Sequence, residues 1–264
     1  MSKRTDMAVE AVELDYEYDE NKIINGLDYK KLTVDKKLGS RIKKEPGIYY
    51  NIDNLDYHHN YDNIIDLVKN VLRELLSNHY NDVKNILIVG LGNDMITPDS
   101  LGPLVVNKVE VNSHMEKECN YNVSAICPGV KGCTGMESAD IVKALCDDFD
   151  FDLVVVVDAL ACNHITRMCN SIQLSTAGIS PGAGVGNRTK PFTKSYLGVE
   201  VLAIGIPTVS DIDCYIEVEN NYFVTPNNID EAMDILSLIL SISINETLLD
   251  KSWFYLKNTE LMLK

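Results

Sequence analysis

Apolar residues fall along this chain in two kinds of run. Three segments are short and unbroken: Ile86-Leu87-Ile88-Val89, DLVVVVD from Asp152 to Asp158, and VEVLAIGI from Val199 to Ile206. Runs of that length, rich in β-branched residues, suit strands buried on both faces. Two longer segments repeat their apolar residues every three or four positions. Residues 62–79 do so through Ile64, Ile65, Leu67, Val68, Val71, Leu72, Leu75 and Leu76, and a second such segment runs from Ile229 to about Leu249. That spacing predicts two helices, each with one face to a core. Shorter signals add strands at Tyr121–Ile126 and Ser171–Leu174, a helix in LVVNKVEVN after Pro103, and a helix opening near Glu137 or Ser138. Strands alternating with helices predict an α/β fold: a mostly parallel sheet flanked by helices, an α/β/α sandwich. Residues 21–60 are polar and read as strands or extended loops, and the acidic first 20 as a frayed or short helical segment. No repeat or low-complexity linker divides the chain, so one domain with N-terminal additions is expected.

Composition narrows the partners. The 264 residues are 45% hydrophobic, enough for a sizeable core, and no apolar run approaches the roughly 18 residues that cross a bilayer. The N-terminus lacks the apolar stretch of a signal peptide, so a soluble intracellular protein is expected. A formal net charge of −15 repels nucleic acid and anionic membrane, and neither is expected as a partner. The seven cysteines are odd in number and form no C-x-x-C pair, which points to reduced thiols and not to a disulfide framework or zinc site. His58 and His59 are adjacent, so on a strand their side chains diverge; a solvated loop is the expectation.

The candidate chemistry sits where the apolar runs stop. After Val89 the chain reads GLGNDMITPDSLGP, which places Asp99 in a loop just beyond a buried strand; Asp158 closes the DLVVVVD run. Ligands of open α/β sheets bind outside the carboxyl ends of the strands, so the two carboxylates can meet in one cleft. Two carboxylates sharing a site do not both ionise readily, and the pair then works as acid and base. That chemistry activates a water against a peptide carbonyl. The same residues also suit a tight turn and a helix cap. Asp211 follows the third run and is a weaker candidate. The glycine-rich loops CPGVKGCTG and SPGAGVGNR offer N–H donors for an oxyanion, with Lys131, Arg188 and Lys190 available to an acidic substrate; His164 lies near a strand end. Gly90 and Gly92 are followed by Met95 and not by the third glycine of a dinucleotide fingerprint, and no P-loop occurs. No cofactor and no metal is called for.

Seven segments together resemble the germination protease family of endospore-forming bacteria. They are RTDMAVEA (Arg4 to Ala11), ILIVGLGN…TPDSLGP, PGVKGCTGMESADI, VVVVDALA, SPGAGVGNR, AIGIPTVSD and Val224-Thr225-Pro226. The resemblance implies an atypical aspartic endopeptidase of the spore core, related in fold to the hydrogenase-maturation endopeptidases. It implies small acid-soluble spore proteins as substrates, cut between an acidic and an apolar residue, and a homotetramer. Its catalytic aspartates map onto Asp99 and Asp158. It implies a zymogen that cuts itself in RTD–MAVEA, here between Asp6 and Met7, so that residues 1–6 are a candidate propeptide and 7–264 the protease domain. The chain departs from the family in the shortness of that propeptide, in DALACNHI where the family has DALAARSI, and in a short stretch between PTVSD and VTP. A metal-sensing maturation endopeptidase and an inactive binding homologue are the alternatives.

Overall fold

The computed structural model describes residues 5–12, 17–114, 119–184, 186, 189–215 and 222–249. In chain order the elements are α1 (Ala8–Ala11), β1 (Glu20–Ile24), β2 (Leu27–Val34), α2 (Lys36–Ile42), β3 (Gly47–Asp53), α3 (Tyr61–His79), β4 (Asn85–Gly90) and α4 (Leu101–Val106). There follow β5 (Asn122–Ile126), α5 (Lys131–Thr134), α6 (Ser138–Asp148), β6 (Leu153–Cys162), β7 (Ser171–Ser175), α7 (Lys194–Leu197), β8 (Glu200–Asp211), β9 (Phe223–Val224) and α8 (Ile229–Leu248).

The nine strands of the described residues form one sheet in the order β1-β2-β3-β7-β8-β6-β4-β5, with β9 on the end of β8. The strands β8, β6, β4 and β5 run parallel, while β7, β3, β2 and β1 extend the sheet antiparallel. The parallel part is where the unbroken apolar runs lie, because its strands are covered on both faces. β6 shows how. Leu153, Val155 and Val157 enter a large core with α3 and α8, while Val154 and Val156 enter a second core on the opposite face with Ala139 and Val142 of α6 and Leu197 of α7. Helices on both faces make the α/β/α sandwich.

α3 buries all eight of its periodic apolar residues, and α8 follows its expected bounds to within a residue. The antiparallel half carries its own cover. α1 seats Ala8 against Leu32, Val34, Tyr49 and Ala177, and Met7 and Val9 pack on Leu160, Cys162 and Met168. The N-terminal segment is therefore part of the sandwich and not a frayed end. Two strands outrun their expected ends. β6 continues four residues past Asp158 to Cys162, and β8 continues to Asp211, because Leu160 and Cys162 bury beneath that N-terminal cover. Asp158 consequently lies inside a strand and not at its end. His58 and His59 sit in an exposed turn, as expected.

Candidate active site

Strand parity aims Asp158. It follows Val154 and Val156 on the same face of β6 and precedes Leu160, so it points into the gap between the α6–α7 core and the N-terminal cover. The neighbouring β4 stops at Gly90, opposite Val157. One position later, Asp158 has no partner on that side of the sheet, and the chain leaving β4 fills the space beside it.

That chain must turn tightly, and three glycines let it. Gly92 has φ +112°, and a Cβ there would lie 1.9 Å from the carbonyl oxygen of Asp99. Gly90 and Gly102 face each other: a Cβ on Gly90 would lie 2.4 Å from Gly102 O, and one on Gly102 would lie 2.3 Å from Leu91 O and 2.6 Å from Val157 O. Residues with side chains cannot approach so closely, so the GLGN and SLGP glycines bring the start of α4 down onto the end of β4 and the middle of β6. Thr97–Asp99 form a single turn of 3₁₀ helix between them. The N–H of Asn93 donates to both the carbonyl (3.1 Å) and the Oδ2 (2.9 Å) of Asp99, closing the loop on the carboxylate. From the other side, the register of β6 on β8 slips between Leu160 and Ala161, leaving Thr208 as the extra residue. Its hydroxyl donates to Pro98 O at 2.6 Å, and its carbonyl accepts from the Thr225 hydroxyl at 2.8 Å. The PTVSD and VTP segments thus brace the turn that carries Asp99. The sequence reading gave Thr208 and Thr225 no role.

Asp99 and Asp158 line one cavity of about 820 Å³. Asp158 is 4% exposed, and its carboxylate accepts a hydrogen bond from the N–H of Ala159. Burial first, and then the charges of Asp99 and Asp6, push its pKa well above the usual carboxylate range. Asp99 is less deeply placed; burial raises its pKa too, against the opposing pull of the Asn93 N–H. The two environments hold a proton on Asp158 more firmly than on Asp99, which is the asymmetry an acid and a base require. The linkage has a definite sign. The unfolded chain releases this proton above about pH 4, while the folded chain keeps it, so the contribution of Asp158 to stability is complete below the unfolded pKa and declines as pH rises toward the folded one. The urea midpoint of the wild type should therefore fall as pH rises above about 4, and the fall should be smaller in Asp158→Asn. An equal fall in both would show that Asp158 is not the group retaining the proton.

Besides Glu137, a further carboxylate reaches this cavity from the N-terminus. Asp6 lies against β6: its N–H donates to Ala161 O (2.9 Å), and its own carboxylate accepts from the N–H of Ala161 (2.9 Å) and the N–H of Gly184 (2.8 Å). Gln173 of β7 holds the backbone on either side of Met7, accepting from Ala8 N–H at 2.7 Å and donating to Asp6 O at 3.3 Å. Lys44 donates to Thr5 O at 2.7 Å. The Thr5 hydroxyl accepts from Met7 N–H at 3.0 Å and donates to Glu10 Oε2 at 2.5 Å. Glu10 is itself held by the N–H groups of Asn163 and His164 and by Arg167.

The other expected site residues separate. Lys131 and Lys190 reach the cavity but are engaged, Lys131 with Glu137 at 2.6 Å and Lys190 with Asp140 at 2.8 Å. His164 is exposed and does not line the cavity; its backbone N–H, not its ring, is what the structure uses. Arg188 lies outside the described residues. Asp211 ends β8 and caps a turn by accepting from Asp213 N–H at 3.0 Å. Among the described residues, no group of three or more His, Cys, Asp or Glu side chains is arranged to hold a metal ion.

These observations can be set beside known proteins. The family model described as germination protease matches residues 2–217. The germination protease of Clostridium perfringens (strain SM101 / Type A) is 39% identical over 229 residues, covering 79% of this chain and 70% of that protein. That of Bacillus mycoides (strain KBAB4) is 37% identical over 233 residues, covering 80% of this chain and 64% of that protein. Among solved structures, a NiFe hydrogenase maturation protease, HycI, from Thermococcus kodakarensis KOD1 matches with a TM-score of 0.39 and 18% identity, over 66% of this chain and 99% of that one. Matches of this extent in sequence lead to one assignment: the chain belongs to the germination protease family and is a hydrolase of the endopeptidase class.

Proposed function

We propose that Asp99 and Asp158 are the catalytic pair of this endopeptidase, and that it cuts after an acidic residue and before an apolar one. One observation carries this reading: the chain's own Asp6-Met7 segment is seated against β6, with the Asp6 carboxylate in the cavity that Asp99 and Asp158 line. Asp99, the more readily ionised, takes a proton from water as the oxygen attacks the peptide carbonyl carbon. Asp158 donates its proton to the carbonyl oxygen as that oxygen gains charge. As the resulting diol collapses, Asp99 passes the proton it took from water to the departing amine, a diol hydroxyl returns a proton to Asp158, and the C–N bond breaks, leaving a carboxyl end and an amine end.

The substrates we propose are the small acid-soluble proteins of the spore core, degraded at germination, with an assembly of four copies as the working form. Family membership supports this class. Lys131 and Lys190 at the cavity's rim are proposed to meet the acidic groups of such substrates. We further propose that residues 1–6 are a propeptide that the chain removes from itself at Asp6–Met7.

The test is the intact mass of the purified protein over time, wild type against Asp6→Ala. Removing a carboxylate that accepts two N–H bonds should slow the loss of residues 1–6 by about tenfold or more. Processing at an unchanged rate would show that the acidic side chain is not read. An intact Met1 throughout, in a protein that cuts an added spore-protein peptide, would remove the zymogen and leave the endopeptidase.

A further inference from the structure

The place where Asp6 sits is built for a carboxylate. Two backbone N–H groups, from Ala161 and Gly184, converge on its two oxygens from different elements. Gly184 is required there, because a Cβ on it would lie 2.4 Å from Asp6 Oδ2 and 2.7 Å from the Ala161 Cβ. The backbone of Asp6 is fixed as well, by Ala161 O and by Gln173. Beyond the carboxylate lies a second cavity of about 580 Å³, which Asp6 also lines and into which Lys36, Lys43 and Lys44 bring positive charge. Lys44 is the nearest of these, holding the carbonyl of Thr5. An acid of this chain therefore occupies a seat between the cavity of the aspartate pair on one side and a lysine-lined cavity on the other.

We propose that this seat is the pocket that reads the acidic residue before the scissile bond of a substrate, with Lys44 as the residue that selects acid over amide. The proposal rests on the endopeptidase reading above and names the residues that give it specificity. The two N–H donors do not by themselves discriminate, since the oxygen of a neutral Asn or Gln accepts from them too. The ammonium of Lys44 does: burial raises the Asp6 pKa, and the Lys44 charge is the strongest pull against it, favouring only the ionised side chain. The unprocessed chain fills this pocket with its own Asp6, so no substrate acid enters until residues 1–6 have gone. Sequence reasoning could not find the pocket: two of its contacts are backbone N–H groups, and Lys44 is one of seven lysines in the polar segment 21–60.

The experiment compares three peptides spanning residues 1–12: the native sequence, one with Asn in place of the acid, and one with Ala. Each is offered to wild type, Lys44→Met, Lys44→Arg and Gly184→Ala once residues 1–6 have been lost, and kcat/KM is read by mass spectrometry. The wild type should favour the acid over the Asn peptide by about tenfold or more. In Lys44→Met that ratio should fall toward one, and Lys44→Arg should restore part of it. Gly184→Ala puts a methyl group in the seat and should depress cleavage of the acid peptide more than that of the Ala peptide, which has nothing to place there. Unchanged ratios in both Lys44→Met and Gly184→Ala overturn the pocket while leaving the endopeptidase standing. If Lys44→Met does not fold, the ratio in Gly184→Ala decides alone. A wild type that cuts none of the peptides, even after losing residues 1–6, overturns the endopeptidase reading and the pocket with it.

Discussion

Asp158→Asn should cut a spore-protein peptide roughly 10²–10⁴-fold more slowly than the wild type, the range that a positioned acid or base contributes. It should also be the more stable protein at neutral pH. The two effects have one cause. Asp158 is 4% exposed and its pKa is raised chiefly by burial, so the fold holds a carboxyl group where an ion is costly. An asparagine keeps the size and can still accept from the Ala159 N–H, but it carries no proton to donate and no charge to bury. Stability gained together with activity lost is the mark of a residue retained for chemistry. Asp99→Asn should match it in activity, since it removes the base, but should change stability less, because Asp99 is only partly buried. A variant of either residue that keeps full activity ends the assignment of the pair. The measurements are kcat with a fluorogenic peptide and the urea midpoint at pH about 7.

Gly102→Ala tests the other requirement, that two distant aspartates be brought together by backbone contact. The added methyl would meet Leu91 O, Leu91 N and Val157 O at 2.3, 2.4 and 2.6 Å. These are backbone atoms just past the end of β4 and in the middle of β6, joined by the Leu91 N–H to Val157 O bond, and no side chain can move aside to relieve the clash. α4 must lift, and it takes the Asp99 turn with it. Overpacking costs about 1–3 kcal/mol, occasionally more, and contact with three fixed atoms belongs at the top of that range. A displacement near 1 Å at the reacting groups lowers the rate by about 10²-fold. Thermal unfolding and kcat on the same preparation check both. The control is Gly132→Ala, where no heavy atom lies within 4 Å of the added Cβ, so stability should hardly change.

The parallel half of the sheet was legible because burial on two faces leaves nothing but apolar residues, as in DLVVVVD. The antiparallel half was not, because β1 and β2 are half-exposed and alternate lysines with apolar residues, a weaker signal than an unbroken run. Asp99 and Asp158 could be picked out as acids placed where buried apolar runs give out, Asp99 in the loop beyond one and Asp158 closing another. The location of Asp158 within β6 could not, since the cover over Leu160 and Cys162 comes from residues about 150 positions earlier in the chain. Lys131 and Lys190 were chosen for lying in glycine-rich loops, and they do reach the cavity. His164 was chosen by proximity in sequence, and the turn after β6 carries its ring away from the site. Gly184 and Ala161 act through backbone N–H groups, which every residue but proline carries, so no pattern of side chains announces them.

The Thr5 hydroxyl is a bridge: it takes the N–H of Met7 and gives its own proton to Glu10. A cut between Asp6 and Met7 removes the bridge and turns that amide nitrogen into a free α-amine, charged at neutral pH. On the far side of that bridge is the carboxylate of Glu10, fastened to the Asn163 and His164 N–H groups and to Arg167, a few residues beyond Asp158. The proposed cut would thus put a new positive charge where a neutral hydroxyl now links Met7 to Glu10, just past the C-terminal end of the strand that carries Asp158. Under the proposed processing, the step that empties the pocket would also set a charge on the new end beside an acid already in place.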